Sequence, residues 1–185
     1  GEILGYQVTY REVSSGAGAP EVRTVRGRQR YELVLAPLRH YARYEVTVRA
    51  FNQVGPGPAS TPQLASTMEG VPDSPPLDIR CSAQSSQSIR IRWEPPPLEN
   101  RNGVIQGYKV IYKQVDPKPG MAADVEIKKT TNLDTNLHGL MRFANYSMRV
   151  LAFTHTGEGV QSYPIFCATE EDVPGNPEQI KALVM

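Results

Sequence analysis

Gly107-Tyr108-Lys109-Val110-Ile111-Tyr112-Lys113 repeats, 102 residues on, the stretch Gly5-Tyr6-Gln7-Val8-Thr9-Tyr10-Arg11. In the later copy Tyr108, Val110 and Tyr112 alternate with Lys109, Ile111 and Lys113, the period of a strand that turns one side chain in two to the same face. The same offset carries Leu38 onto Leu140, Tyr44 onto Tyr146, Val48 onto Val150, Ala50-Phe51 onto Ala152-Phe153, Gly55 onto Gly157 and Pro62 onto Pro164 without a gap. A period of this size means tandem domains rather than stacked short repeats. Its phase predicts one complete module over 71–172. Residues 1–70 match only the later part of a module and are expected to lack its first two strands, and 173–185 are read as a linker and the first strand of a following module. A sandwich without its first two strands exposes an apolar face, so the partial module is expected to be unstable alone.

Within the complete module, Ser88-Ile89-Arg90-Ile91-Arg92-Trp93 alternates, with Ile89, Ile91 and Trp93 on one face and the arginines on the other. Tyr146, Met148, Val150 and Ala152 alternate with Ser147, Arg149, Leu151 and Phe153. Weaker strand signals lie at 79–83, 124–129, 136–138 and 162–169. Seven short strands in about a hundred residues predict an all-β sandwich. Glu94-Pro95-Pro96-Pro97 ends the Trp93 strand, because proline cannot donate to a ladder, and Asn100-Arg101-Asn102-Gly103 supplies a loop. Leu140 and Tyr146 stand six apart, as do Leu38 and Tyr44, a spacing that fits a tyrosine corner; the alternative is a tyrosine that is merely buried.

Composition agrees. Gly (15) and Pro (16) among 185 residues favour turns and short strands over a helical bundle. Lys plus Arg (20) against Asp plus Glu (19) leaves no global field to attract nucleic acid or an anionic bilayer. No apolar run approaches a membrane span, and no signal-type leader opens the sequence. Cys81 and Cys167 lack the spacing of a zinc ribbon or a redox motif.

Trp93 with Glu94-Pro95-Pro96-Pro97, Asn102-Gly103-Val104-Ile105-Gln106-Gly107-Tyr108, Leu140 with Tyr146, Ala152-Phe153 and Gly157-Glu158-Gly159 together resemble a fibronectin type III domain. The core signature is Trp93, Tyr108, Leu140 and Tyr146. Glu171-Asp172-Val173-Pro174, Phe143-Ala144-Asn145-Tyr146-Ser147 and Ile105-Gln106-Gly107-Tyr108-Lys109 resemble the membrane-proximal repeats of the Dscam family of immunoglobulin-superfamily adhesion receptors. The Sidekick family and the receptor tyrosine phosphatases are less similar. The resemblance implies tandem immunoglobulin-like β-sandwiches in an extracellular, cell-surface ectodomain of a single-pass membrane protein, tethered only through parts not in this chain. The implied role is as a spacer in a homophilic adhesion receptor, with the same molecule as a lateral protein partner.

If the fold is of this kind, Cys81 on the first strand and Cys167 on the last fall on adjoining sheet edges, so that a disulfide is open to them; the alternative is two free buried thiols. A bridge argues for an oxidising compartment. Asn145-Tyr146-Ser147 is an N-glycosylation sequon, and with Tyr146 facing inward Asn145 is expected to face outward. Arg23, Arg26, Arg28 and Arg30 form a dense cationic run for which a heparan-sulfate-like polyanion is one reading and a solvated strand the other. Basic and acidic residues balance in the complete module, which is expected to offer no matching patch.

His40, His138 and His155 are isolated, and Gly55-Pro56-Gly57-Pro58 lacks the amides that cradle a phosphate. The reading is therefore a protein that is not an enzyme, with no catalytic residue, cofactor, metal or nucleic-acid partner. The proline-rich linkers 69–76 and 172–177 are expected to be extended and stiff. The rival reading is the ligand-binding ectodomain of a signalling receptor such as a receptor tyrosine phosphatase. A W-S-x-W-S box and an R-G-D triplet are both missing, which argues against a cytokine receptor and an integrin-binding matrix protein.

Overall fold

The structure, a computed structural model, describes residues 1–14, 16, 18–117, 120 and 124–173. The strand expected within 173–185 and the end of the second linker lie outside the described residues. Two compact units divide the chain. The first comprises Gly1–Val71 with Arg101–Val104 and Thr154–Gly157; the second comprises Pro72–Asn100, Ile105–Phe153 and the residues from Glu158 onward.

Among the described residues the first unit is a single antiparallel sheet. Its strands are β1 (Gly5–Glu12), β2 (Glu21–Arg26), β3 (Arg43–Phe51) and β4 (Gln63–Ser66), in the order β2-β1-β3-β4. Tyr6, Val8 and Tyr10 stand opposite Ala50, Val48 and Val46, which places the apolar side chains of β1 and β3 on one face. Only a small cluster is closed there, Tyr10, Ala42 and Tyr44 with Leu35, Leu38 and Val46 packed against them. Elsewhere on this face Val8 is buried, but its neighbours border an open cleft. Tyr6, Val8, Val46 and Val48, with Leu33 and Leu35, line a cleft of about 360 Å³.

Among the described residues the second unit has seven strands in two sheets. β5 (Leu77–Ser85), β6 (Ser88–Glu94) and β9 (Asp134–Leu137) form the sheet β5-β6-β9. β7 (Gly107–Gln114), β8 (Glu126–Thr130), β10 (Asn145–Phe153) and β11 (Ile165–Ala168) form the sheet β11-β10-β7-β8. This four-stranded sheet repeats the sheet of the first unit strand for strand. Between the layers lie Ile89, Ile91 and Trp93 from one sheet and Tyr108, Val110, Tyr112, Tyr146, Met148, Val150 and Ala152 from the other. Every one comes from the alternating positions that the sequence assigns to an inward face.

Two differences from the expected strands have local causes. The last strand begins at Ile165 rather than at 162, because Pro164 has no amide to donate. Ahead of it, the Val150 amide donates to Ser162 Oγ (3.0 Å), so that a hydroxyl stands in for a ladder carbonyl. Val48 and Ser60 make the same bond in the first unit (3.0 Å). Residues 32–35, which correspond to β9, form no strand, since β9 pairs with β6 and the described residues of the first unit hold no counterpart of β6. Gly107 is required for close approach: a Cβ there would come within 2.9 Å of both the Thr130 carbonyl and the Phe153 ring.

Candidate functional site

The residues that the sequence singles out serve the fold, and the candidate functional features are surfaces. Trp93 is buried at 3% exposure and packs on Tyr108 with ring centroids 5.4 Å apart in a tilted pair. Its indole Nε1 is the buried side-chain polar atom without a hydrogen-bond partner among the described residues. Retaining an unmet donor costs stability, so the indole contributes by filling volume rather than by bonding. Leu140 is buried beside Tyr146, whose Oη accepts from the Met141 amide (2.8 Å). Tyr44 Oη accepts from the Arg39 amide in the same way (3.1 Å). Both phenols thus tie the chain that precedes a strand to that strand, the geometry of a tyrosine corner.

Thr169 completes this corner, and its role is not visible in the sequence taken alone. Its Oγ1 accepts from the Ala144 amide (3.0 Å) and donates to the Met141 carbonyl (2.7 Å). Thr67 does the same with Ala42 (3.0 Å) and Arg39 (2.6 Å). The signal that could have found it is the offset itself, since Thr67 falls on Thr169.

Cys81 on β5 and Cys167 on β11 are joined as a disulfide, Cα atoms 6.3 Å apart, linking the two sheets of the second unit across 86 residues of sequence. Tyr112 lies inward with its hydroxyl donating to Glu126 (2.9 Å). Burial, and then that hydrogen bond to a carboxylate, push its pKa up to about 12. Tyr10 donates to Glu21 (2.7 Å) at the matching place in the first unit, where the hydrogen bond and burial also raise its pKa. No cluster of three or more His, Cys, Asp or Glu side chains is placed to hold a metal ion among the described residues.

Asn145 opens β10, is exposed and shares the outer face with Ser147 and Arg149. The four arginines of the sequence run are not brought together. Arg23 stands opposite Val8 on the inner face of its sheet, whereas Arg26 stands opposite Gly5 on the outer face. Three residues of separation on a strand reverse the side, which a linear run conceals. Arg28 is ion-paired with Glu2, and Arg30 lines the cleft over the open face. Arg26 instead shares the outer face with Arg11, Arg43 and Arg49, with Arg11 paired to Glu45 (3.3 Å).

The second unit, expected to have no cationic patch, has one. Lys109 and Lys113 from β7, Lys129 from β8 and Arg149 from β10 all project from the outer face of the four-stranded sheet. Balanced composition hid them because they come from three strands that only the sheet register brings side by side.

The model of the family described as "Fibronectin type III domain" matches residues 1–65 and 74–168. The cell adhesion molecule Dscam2 of Drosophila melanogaster is 49% identical over 188 residues, covering 99% of this chain and 9% of that protein. Dscam1 of the same organism is 44% identical over 189 residues, with 100% and 9% covered. Human cell adhesion molecule DSCAML1 is 39% identical over 189 residues, with 99% and 9% covered. The chain therefore spans about a tenth of the curated relatives it matches. A crystal structure of chicken CNTN1 FN1-FN3 domains aligns with a TM-score of 0.48 and 25% identity over 90% of this chain and 56% of that one. By its all-β sandwich, its tyrosine corners and the family match over both repeats, this chain belongs to the fibronectin type III family and is similar along nearly its whole length to Dscam-type cell adhesion molecules.

Proposed function

We propose that this chain serves as a spacer and lateral-contact segment in the ectodomain of a homophilic cell adhesion receptor, and that it does so without enzymatic activity. The observation that carries the reading is the 49% identity to Dscam2 across 99% of the chain, on a fold in which the corner hydroxyls of Tyr146 and Thr169 are bonded to backbone. Relatives named as cell adhesion molecules support a receptor role, and an inter-sheet disulfide supports an extracellular, oxidising location. Asn145, outward at the start of β10, is the glycan acceptor of this reading.

The domain organisation follows the same proposal. Residues 71–172 are one whole module, and the open face of the first unit belongs to a module completed by two further strands equivalent to β5 and β6. Their absence from 1–70 matches the cleft that Tyr6, Val8 and Val48 line.

Sedimentation velocity of the chain at tens of micromolar tests lateral association. A concentration-dependent dimer supports it; a monomer throughout removes the self-contact and leaves the spacer role.

A further inference from the structure

The two outer faces of the second unit differ in charge. On the β5-β6-β9 face, Arg80 pairs with Asp78 (2.9 Å) and Arg90 with Asp134 (2.5 Å), while Arg92 stands between Arg80 on one neighbouring strand and Asp134 on the other. On the β11-β10-β7-β8 face, Lys109 pairs with Glu158, and no carboxylate lies within ion-pair distance of Lys113, Lys129 or Arg149 among the described residues. Three exposed cations with no carboxylate in ion-pair distance among the described residues thus share the β11-β10-β7-β8 face.

Their order on that face is informative. Arg149 stands opposite Ile111, so Lys113 and Lys109, two residues to either side of Ile111, are its diagonal neighbours, and Lys129 stands directly opposite Lys109. Opposed side chains start about 5 Å apart and diagonal ones about 7–8 Å. Lys113, Arg149, Lys109 and Lys129 therefore make a continuous track in which each cation neighbours the next. A directly opposed pair of like charges destabilises a sheet, and Lys109 and Lys129 are such a pair, offset only by the Glu158 carboxylate on Lys109. The fold does not require it: the corresponding pair in the first unit is Gln7 and Thr24, and Arg149 corresponds to Thr47.

We propose that this face is a binding site for a linear sulfated polysaccharide, whose successive anionic groups run along the Lys113–Arg149–Lys109–Lys129 track. A chain of closely spaced sulfates and carboxylates relieves the repulsion between neighbouring cations all along the track, and the guanidinium of Arg149 offers a two-pronged donor to one of them. Lys113, Arg149 and Lys129 are exposed, whereas Lys109 is half-buried and paired with Glu158, so the attraction rests on the three exposed cations and is screened by salt. Asn145 stands at the end of the same face, so the chain without a glycan is the form to assay.

The test is calorimetric titration of the 185-residue chain with a heparin octasaccharide at 50 and 300 mM NaCl, with vesicles of 30% phosphatidylserine as a second probe. Lys129→Thr with Arg149→Thr, which installs the residues the first unit carries at these positions, is expected to weaken octasaccharide binding at least tenfold. Arg80→Gln with Arg92→Gln removes the same charge from the opposite face and is expected to change it less than twofold, and Lys129→Arg with Arg149→Lys is expected to retain it. Circular dichroism establishes that each variant is folded. The proposal is overturned if the track variant binds like the parent, if both double neutralisations weaken binding equally, or if only the vesicles are bound.

Discussion

The sheet β2-β1-β3-β4 and the sheet β11-β10-β7-β8 are nearly the same object built twice, yet one covers a core and the other does not. Val48 is 39% exposed, whereas its counterpart Val150 is fully buried. Tyr6 borders an open cleft, whereas Tyr108 is closed over by Trp93. The difference lies in the layer opposite: β5, β6 and β9 bring Ile89, Ile91, Trp93 and Leu137 down onto the second sheet, and no such strands lie over the first among the described residues. Sequence pattern decides which face of a strand is apolar, but burial needs a second layer to meet it.

The comparison can be broken most sharply at Trp93. Trp93→Ala is expected to cost the second unit about 3–5 kcal/mol through lost burial and a cavity beside Tyr108, while leaving the first unit unchanged. Urea titration followed by far-ultraviolet circular dichroism reads this; a loss below about 1 kcal/mol would mean that Trp93 does not close the core. Next in size is the disulfide. Cys81→Ser with Cys167→Ser frees an 86-residue span and is expected to cost about 2–5 kcal/mol, again in the second unit only. Equal midpoints for the variant and the parent would show that the two layers hold together without the bridge.

The smallest effect concerns pH. Tyr112 is stabilised as the neutral phenol, so its contribution is fully present below the unfolded value near 10 and is lost as pH rises through about 12. Tyr112→Phe should flatten the stability of the second unit across this alkaline window. An unchanged slope would show that burial of the phenol does not govern it.

Much of this was legible in the chain. The alternation of Ile89, Ile91 and Trp93 sets a strand and its face, and the 102-residue offset identifies both corner tyrosines, because local periodicity and spacing are properties of adjacent residues. Register is not. Arg23 and Arg26 read as neighbours yet stand on opposite faces, while Lys109, Lys129 and Arg149 read as unrelated yet stand side by side. Pairing between strands 20 to 40 residues apart decides which charges meet, and composition averages it away. The hydroxyls of Ser162 and Thr169 were missed for a related reason: their acceptor and donor roles exist only once a neighbouring strand presents an amide.

Amide hydrogen exchange of the whole chain, resolved by strand, tests the central claim most directly, since it reads both sheets in one molecule under one condition. Slow exchange through β6, β7 and β10 with exchange at least a hundredfold faster in β1 and β3 is the predicted result. Equal protection of β1 with β7 and of β3 with β10 would contradict it, for it would mean that the facing layer is not what separates the two units.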